Sequence, residues 1–160
     1  MTARPFEITD RVRWADVDLV GIMRFSAVTR FVEMAEQELM RAAGFPYERL
    51  MDNPPFWMPR RHLSIDYVSP ARIDDPLTTV TYVSRMGDTS LTINVDLWQA
   101  NGTLVAAAAM VVVCVASDTF KKRSIPDEFR SVLLPFVCSV EEAQASQRAL
   151  KASHEGSAPR

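Results

Sequence analysis

The sequence predicts an α+β fold in which a curved antiparallel sheet of about five strands wraps around one long helix. The first observation is a single strong stretch of helical apolar spacing, which begins at Ser26. The second is a series of segments with alternating apolar and polar side chains, separated by turn signals. A helix with one apolar stripe and strands with an apolar face bury these surfaces against each other, so we expect one shared core.

The composition is that of a single globular domain. The chain has 160 residues, of which 48% are hydrophobic and 24% charged, and this length suffices for one core. The formal net charge of -2 gives no electrostatic basis for binding nucleic acid. Cys114 and Cys138 lack the spacing of a metal site or a disulfide framework, so no metal is expected. The longest apolar run, at 104–116, is too short to span a bilayer, and the first residues lack the apolar core of a secretory signal. We therefore expect a cytoplasmic protein without a membrane partner.

One strand and one loop precede the long helix. Residues 6–14 alternate near their end and are predicted as a half-exposed strand, and 15–25 as an ordered loop. From Ser26, the predicted N-cap, helical spacing continues to a stop signal at Gly44 and Pro46. This helix of roughly 18 residues would be about 27 Å long.

Four further strands are predicted after a proline-rich bridge. They are rich in alternating or β-branched residues and occupy 63–70, 77–85, 91–98 and 103–116. Asn101-Gly102 is a two-residue hairpin signal between the last two. Residues 106–109 favour a helix, but the tight turn requires a partner strand and the valines that follow prefer a sheet. Because this last strand has no polar face, we expect it to lie centrally and to be covered on both sides.

The C-terminal part is predicted as a helical extension. A short helical turn is expected within 126–136, and a surface helix at 139–152, where Ser139 and Glu142 fit a capping box. Residues 154–160 are predicted to be disordered. The chain is therefore divided into one domain at 1–137 and an extension with a disordered tail at 138–160.

Three sequence blocks, in the order and spacing of a known family, carry a resemblance. The first is WADVDLVGI at 14–22, with the pattern aromatic, small, Asp, any, Asp, two variable residues, Gly, aliphatic. The second is SIDYVSPARIDDPL at 64–77, and the third is KRSIP at 122–126. Together, over roughly residues 8–135, they resemble the hot-dog-fold thioesterases of the 4-hydroxybenzoyl-CoA thioesterase type.

The resemblance implies the hot-dog fold and hydrolysis of an acyl-CoA or acyl-carrier-protein thioester to a free acid and a thiol. It implies that Asp18 is the nucleophile or general base, that the backbone N–H of Phe25 polarises the carbonyl, and that Gly21 permits a tight turn. The chemistry agrees, because the reaction needs an ionised carboxylate near the carbonyl carbon and donors for the oxyanion, which a helix N-terminus supplies. Asp16 is expected to hold the loop through hydrogen bonds. No cofactor is expected beyond the coenzyme A or phosphopantetheine that belongs to the substrate.

Seven further residues are candidates for substrate binding. Aromatic and sulfur-containing side chains before a strand fit an acyl pocket, although such clusters are as often core. Cationic side chains fit the phosphates of coenzyme A, with the two after the last strand best placed by the resemblance, although most such cations are solvated surface. The candidates are Arg24, Trp57, Met58, Arg60, Arg61, Lys122 and Arg123.

The first helical turn departs from the family pattern. Relatives often carry polar side chains there, whereas this chain reads MRFSAV at 23–28, so the hydroxybenzoyl substrate does not carry over. A non-catalytic module that binds an acyl chain or an acyl-carrier protein is therefore an alternative. A hydratase or dehydratase is a weaker one, because His62 and His154 lie far along the chain from Asp18 and outside the long helix.

A single curved sheet with one helix leaves long strand edges and one poorly covered face. The relatives that this chain resembles pair into dimers with a continuous sheet, and their active sites lie at the interface. We therefore expect a homodimer or a homotetramer.

Overall fold

The structure, a computed structural model, describes residues 4–156. Within this range the chain forms seven strands and three α-helices. In chain order they are β1 Phe6–Arg11, α1 Ala27–Ala42, β2 Phe56–Trp57, β3 Arg60–Tyr67, β4 Pro76–Met86, β5 Ser90–Gln99, β6 Leu104–Val113, β7 Val115–Ala116, α2 Asp127–Leu133 and α3 Val140–Gly156. Of the segment predicted as disordered, 154–156 belong to α3, and 157–160 lie outside the described residues.

Five strands form one antiparallel sheet in the order β1-β4-β5-β6-β3. The α+β class and the hot-dog arrangement of one long helix against this sheet are thereby confirmed. The hairpin at Asn101-Gly102 joins β5 to β6, and Gly102 adopts the positive φ of 77° that this turn needs. Strand β6 pairs with β5 and β3 and is therefore an interior strand, but β5 rather than β6 is the central strand of the sheet.

The core lies between α1 and the sheet. Phe31, Ala35 and Leu39 project from one face of the helix and are fully buried, together with Ile93 and Val95 of β5. The helix has 16 residues rather than about 18. Ser26 occupies the N-cap position, but its side chain makes no capping hydrogen bond.

The first strand is shorter than predicted. It ends at Arg11, and Trp14–Asp16 form a turn of 3-10 helix instead of continuing the strand. The physical reason is a local hydrogen bond, because the carboxylate of Asp16 accepts the backbone N–H of Arg13 at 2.8 Å and turns the chain. Trp14 consequently points into solvent with 82% of its surface exposed.

The predicted C-terminal helix covers the face of the sheet opposite α1. Ala143 of α3 packs against Val80, Tyr82 and Trp98, which are all buried. The capping box is confirmed, because the Glu142 carboxylate accepts the backbone N–H of Ser139 at 2.8 Å and the Ser139 hydroxyl accepts that of Glu142 at 3.2 Å. No helix within residues 4–156 is long and apolar enough to cross a membrane.

Candidate active site

Asp18 lies at the tip of a tight turn before α1. Its backbone N–H donates to Ile22 and its carbonyl oxygen accepts the N–H of Gly21, both at 3.0 Å. Gly21 has φ of +78°, a conformation in which any Cβ is strained, and this explains the glycine. The Asp18 carboxylate accepts the backbone N–H of Val20 at 2.9 Å. Its side chain faces a shallow surface cavity of about 520 Å³, beside Trp14 and Leu19.

The backbone at the start of α1 presents a free donor. The N–H of Ala27 donates to the carbonyl of Arg24 at 3.0 Å, and the N–H of Arg24 donates to Asp16 at 2.7 Å. Between them, the N–H of Phe25 donates to no acceptor within residues 4–156. It therefore has the unpaired state that a donor to a substrate oxygen needs. The guanidinium of Arg24 donates to the carbonyl of Ala15, so this predicted binding residue ties the loop together.

An ion-pair network anchors this loop to α1. Asp16 is 3% exposed and accepts two hydrogen bonds from Arg30, at 2.9 and 2.5 Å, while Arg30 also donates to Asp10 at 2.8 Å. Burial alone would raise the pKa of Asp16, but the hydrogen bonds from Arg30 and from the Arg13 backbone outweigh it and lower that pKa. The expectation that Asp16 holds the loop is confirmed.

Three of the predicted binding residues lie elsewhere, around an apolar cavity of about 290 Å³ between the C-terminal half of α1 and the sheet. They are Trp57, Met58 and Arg60. The cavity contains one polar cluster, in which Arg60 donates to Glu36 at 2.5 Å and to the hydroxyl of Tyr47 at 3.1 Å. Glu36 is 4% exposed, so Arg60 neutralises a charge that would otherwise be buried alone. Burial and the neighbouring Glu36 raise the pKa of Tyr47.

The basic segment after β7 borders the same cavity. Phe120 contributes to its lining, and the exposed residues 121–123 follow directly. The guanidinium of Arg123 donates to the carbonyl of Pro55 at 2.9 Å, and Lys122 pairs through its backbone with Val115. Arg61, by contrast, lies exposed on the edge strand β3.

The predicted site residues thus form two groups within the chain. The first, on the loop before α1, contains Asp18, Gly21, Arg24 and Phe25. The second, around the cavity, contains Trp57, Met58, Arg60, Lys122 and Arg123. Strand β3 lies between them, because Arg60 begins it and Tyr67 ends it with its hydroxyl bonded to the carbonyl of Phe25 at 3.0 Å.

Sequence reasoning missed two residues of this region. Glu36 lies on the buried face of α1. A charged residue within an apolar stripe is unusual, and this could have indicated a buried polar cluster. Tyr67 offered no local signal, since its contact with Phe25 joins residues 42 positions apart. Among the described residues, no group of three or more His, Cys, Asp or Glu side chains could hold a metal ion.

The sequence matches the model of the thioesterase-like superfamily over residues 12–133. It is 32% identical over 116 residues to the acyl-CoA thioester hydrolase YbgC of Escherichia coli O6:H1, covering 72% of this chain and 86% of that protein. It is 26% identical over 123 residues to a 1,4-dihydroxy-2-naphthoyl-CoA hydrolase of Nostoc punctiforme, covering 77% of this chain and 82% of that protein. Helix α3 lies beyond the matched range.

Solved structures share the fold. Slr0204 of Synechocystis, a 1,4-dihydroxy-2-naphthoyl-CoA thioesterase, has a TM-score of 0.75 and 22% identity, covering 81% of this chain and 95% of that one. A hypothetical protein of Aquifex aeolicus has a TM-score of 0.74 and 26% identity, covering 81% of this chain and 99% of that one.

Proposed function

The chain belongs to the thioesterase-like superfamily, and we propose that it hydrolyses an acyl-CoA thioester to a free acid and coenzyme A. The relatives named above as acyl-CoA hydrolases support this reaction. One observation from the structure carries the assignment to a site. An exposed carboxylate, Asp18, lies on the loop that leads directly to an unbonded backbone donor, the N–H of Phe25, at the start of α1.

Asp18 supplies the carboxylate of the reaction. As a general base it removes a proton from water, and the resulting hydroxide attacks the carbonyl carbon. As a nucleophile it attacks that carbon itself, and water then hydrolyses the mixed anhydride. In both routes the N–H of Phe25 stabilises the oxyanion, the C–S bond breaks, and the thiolate of coenzyme A leaves and takes up a proton. When water attacks the Asp18 carbon of the mixed anhydride, single turnover in ¹⁸O-water leaves label in Asp18, whereas the general-base route leaves label only in the product acid.

The free edge of β3 fits a second copy of the chain. The N–H of Val68 donates to Val105 of the neighbouring strand at 2.9 Å, so the alternation of the ladder points the amide groups of Leu63 and Ile65 away from β6. A twofold axis would pair this edge with itself in antiparallel fashion. Leu63 and Tyr67, which are 40% and 55% exposed, would become covered.

Such a dimer would complete the site. Neighbouring strands of a sheet lie about 4.8 Å apart. In an antiparallel pair, the end of β3 at Tyr67 would lie beside the opposite end of the partner strand, which begins with the partner subunit's Arg60. The apolar cavity of the partner would then open beside Phe25. In this arrangement the acyl group enters the cavity next to the partner subunit's Met58, while Asp18 acts from the other subunit.

The cations around the cavity fit the phosphates of coenzyme A. Lys122 and Arg123 follow the cavity-lining Phe120, are exposed, and lie on the same rim as Trp57. Arg61 lies on the edge strand between the two groups of residues. We therefore assign the phosphates to this rim.

The test is release of free thiol from acyl-CoA substrates of increasing chain length. Asp18→Asn keeps the size of the side chain but removes the base and nucleophile, so we expect kcat to fall by on the order of 10³-fold. Asp127→Asn, an exposed aspartate at the start of α2, serves as the control and should retain wild-type turnover. Full activity in Asp18→Asn would remove Asp18 from the mechanism. Binding of substrates by the wild type without turnover would indicate an acyl-binding module instead.

A further inference from the structure

Tyr67 connects the edge strand to the proposed carbonyl-binding group. It is the last residue of β3, and its hydroxyl donates to the carbonyl oxygen of Phe25 at 3.0 Å. Tyr67, Phe25 and Val28 together line a cavity of about 290 Å³ at the start of α1. The hydroxyl thus lies at the point where a substrate would meet the helix N-terminus.

The conformation of Phe25 depends on few contacts. The residue is 76% exposed, so packing holds it weakly. The peptide before it is fixed because the carbonyl of Arg24 accepts the N–H of Ala27 at 3.0 Å. The peptide after it is fixed by Tyr67, whose hydroxyl is the one side-chain donor to that carbonyl within residues 4–156. The Phe25 N–H lies in the plane of the Arg24–Phe25 peptide. The peptide that Tyr67 holds, Phe25–Ser26, is the central peptide of the turn that the bond from Ala27 to Arg24 closes, so Tyr67 acts on this N–H through the geometry of the turn.

We propose that Tyr67 is a positioning residue, which aims the N–H of Phe25 at the oxygen of the substrate carbonyl. The proposal rests on the proposed function and adds a residue to it. Tyr67 acts through the backbone of Phe25, and its hydroxyl proton remains on oxygen throughout. Because Tyr67 ends the free edge of β3, pairing of that edge with a second copy would also hold the backbone that carries the Tyr67 side chain.

The Tyr67 hydroxyl should stabilise the transition state more than the bound substrate. An oxyanion forms only after attack, and a donor aimed at it contributes mainly to kcat. Loss of one oxyanion donor costs roughly 10²- to 10³-fold in kcat, and misdirection of a donor that remains present costs less. For Tyr67→Phe we therefore expect kcat to fall about tenfold while KM changes by less than about twofold.

The control is Tyr82→Phe. Tyr82 also has a hydroxyl with a protein partner, since it donates to Asp96 at 3.2 Å, but it lies on the opposite face of the sheet under α3. Its substitution should alter the melting temperature and leave kcat unchanged. Tyr67→Phe should show the reverse pattern.

Two readouts respond to positioning and not to general stability. The first is the carbonyl stretching frequency of a bound ketone analogue of an acyl-CoA, in which a methylene separates sulfur and carbonyl. Its shift to lower frequency on binding should be smaller in Tyr67→Phe. The second is the amide ¹H–¹⁵N signal of Phe25 without ligand, which should move in Tyr67→Phe and stay in place in Tyr82→Phe.

The outcomes separate the two claims. An active wild type, with Tyr67→Phe at the same kcat and carbonyl frequency, overturns the inference about Tyr67 and leaves the proposed function standing. A wild type that hydrolyses no thioester overturns the proposed function, and the wild type alone reveals this. A loss of kcat in Tyr67→Phe that matches an equal loss in Tyr82→Phe also refutes positioning.

Discussion

At the scale of single residues, two aspartates in one short motif have opposite surroundings. Asp16 is buried and fully engaged with Arg30 and the backbone of Arg13, whereas Asp18 is exposed at the turn. A carboxylate held by a guanidinium is a poor base, because its charge is already stabilised. Asp18, which is exposed, is better suited to act as a base or a nucleophile. The motif thus combines one structural carboxylate with the one that the proposed mechanism uses.

The stability of the loop should depend on pH through Asp16. Its folded pKa lies below the ordinary value of 3.8, so its contribution is present above that value and is lost as pH falls through the folded pKa. We expect Asp16→Asn to lower the free energy of unfolding by roughly 2 kcal/mol at pH 7, with the difference shrinking at more acid pH. Urea denaturation at a series of pH values measures this. Asp18→Asn, the control, should change stability by less than about 0.5 kcal/mol, and an equal loss in both variants would contradict the distinction.

Gly21→Ala tests the backbone of the turn. A Cβ there meets nothing within 4 Å, so the cost comes from the positive φ and should be about 1 kcal/mol. Because the turn carries Asp18, we also expect kcat to fall. Gly44→Ala is a matched control, with φ of +79° and equally open space, at the opposite end of α1. It should lose similar stability and retain kcat; comparable kinetic losses in both would show that the turn has no special role.

At the scale of elements, the sequence predicted what local patterns determine. Helix α1, the hairpin at 101–102 and the capping box of α3 follow from spacing and turn chemistry within a few residues. The end of β1 does not follow from such a local pattern, because the carboxylate of Asp16 competes with the strand for a backbone N–H. The loop motif led to the proposal of Asp18, but the separation of the predicted site residues into two groups and the bond between Tyr67 and Phe25 arise from long-range contacts.

The free edge of β3 gives a prediction at this scale. Leu63→Pro removes an N–H that points away from β6, so the subunit keeps its own ladder while pairing with a second copy is blocked. We expect sedimentation to show a monomer with little thiol release, whereas Leu63→Ala, which keeps the N–H, should remain a dimer. A fully active, dimeric Leu63→Pro would place the interface elsewhere.

At the scale of the whole molecule, the sheet is covered on both faces near β4 and β5. Helix α1 covers one face, and α3, outside the range matched by the family model, covers the other. Asp96 lies beneath α3 at 1% exposure, where Gln144 and Tyr82 donate to its carboxylate at 2.7 and 3.2 Å. The sequence predicted the extra helix but not the face of the sheet that it covers, because the apolar stripe of such a helix can pack on many surfaces.

Asp96 should change the free energy of unfolding with pH in the direction opposite to Asp16. Burial raises its folded pKa above 3.8 despite the hydrogen bonds from Gln144 and Tyr82, so folding favours the protonated form. Its stabilising effect is complete below 3.8 and is lost as pH rises through the folded pKa. Asp96→Asn should therefore gain stability relative to wild type between about pH 4 and pH 7. Denaturation curves that keep a constant difference over this range would contradict the assignment.

We propose that Asp18 of one subunit acts on an acyl group held by the other. Co-expressed subunits with two different tags allow purification of a heterodimer in which one subunit carries Asp18→Ala and the other Met58→Trp, which fills the cavity. Each homodimer should release little thiol. The heterodimer retains one intact site, so it should show about half the turnover of the wild-type dimer. A heterodimer no more active than either homodimer would contradict a site shared between subunits.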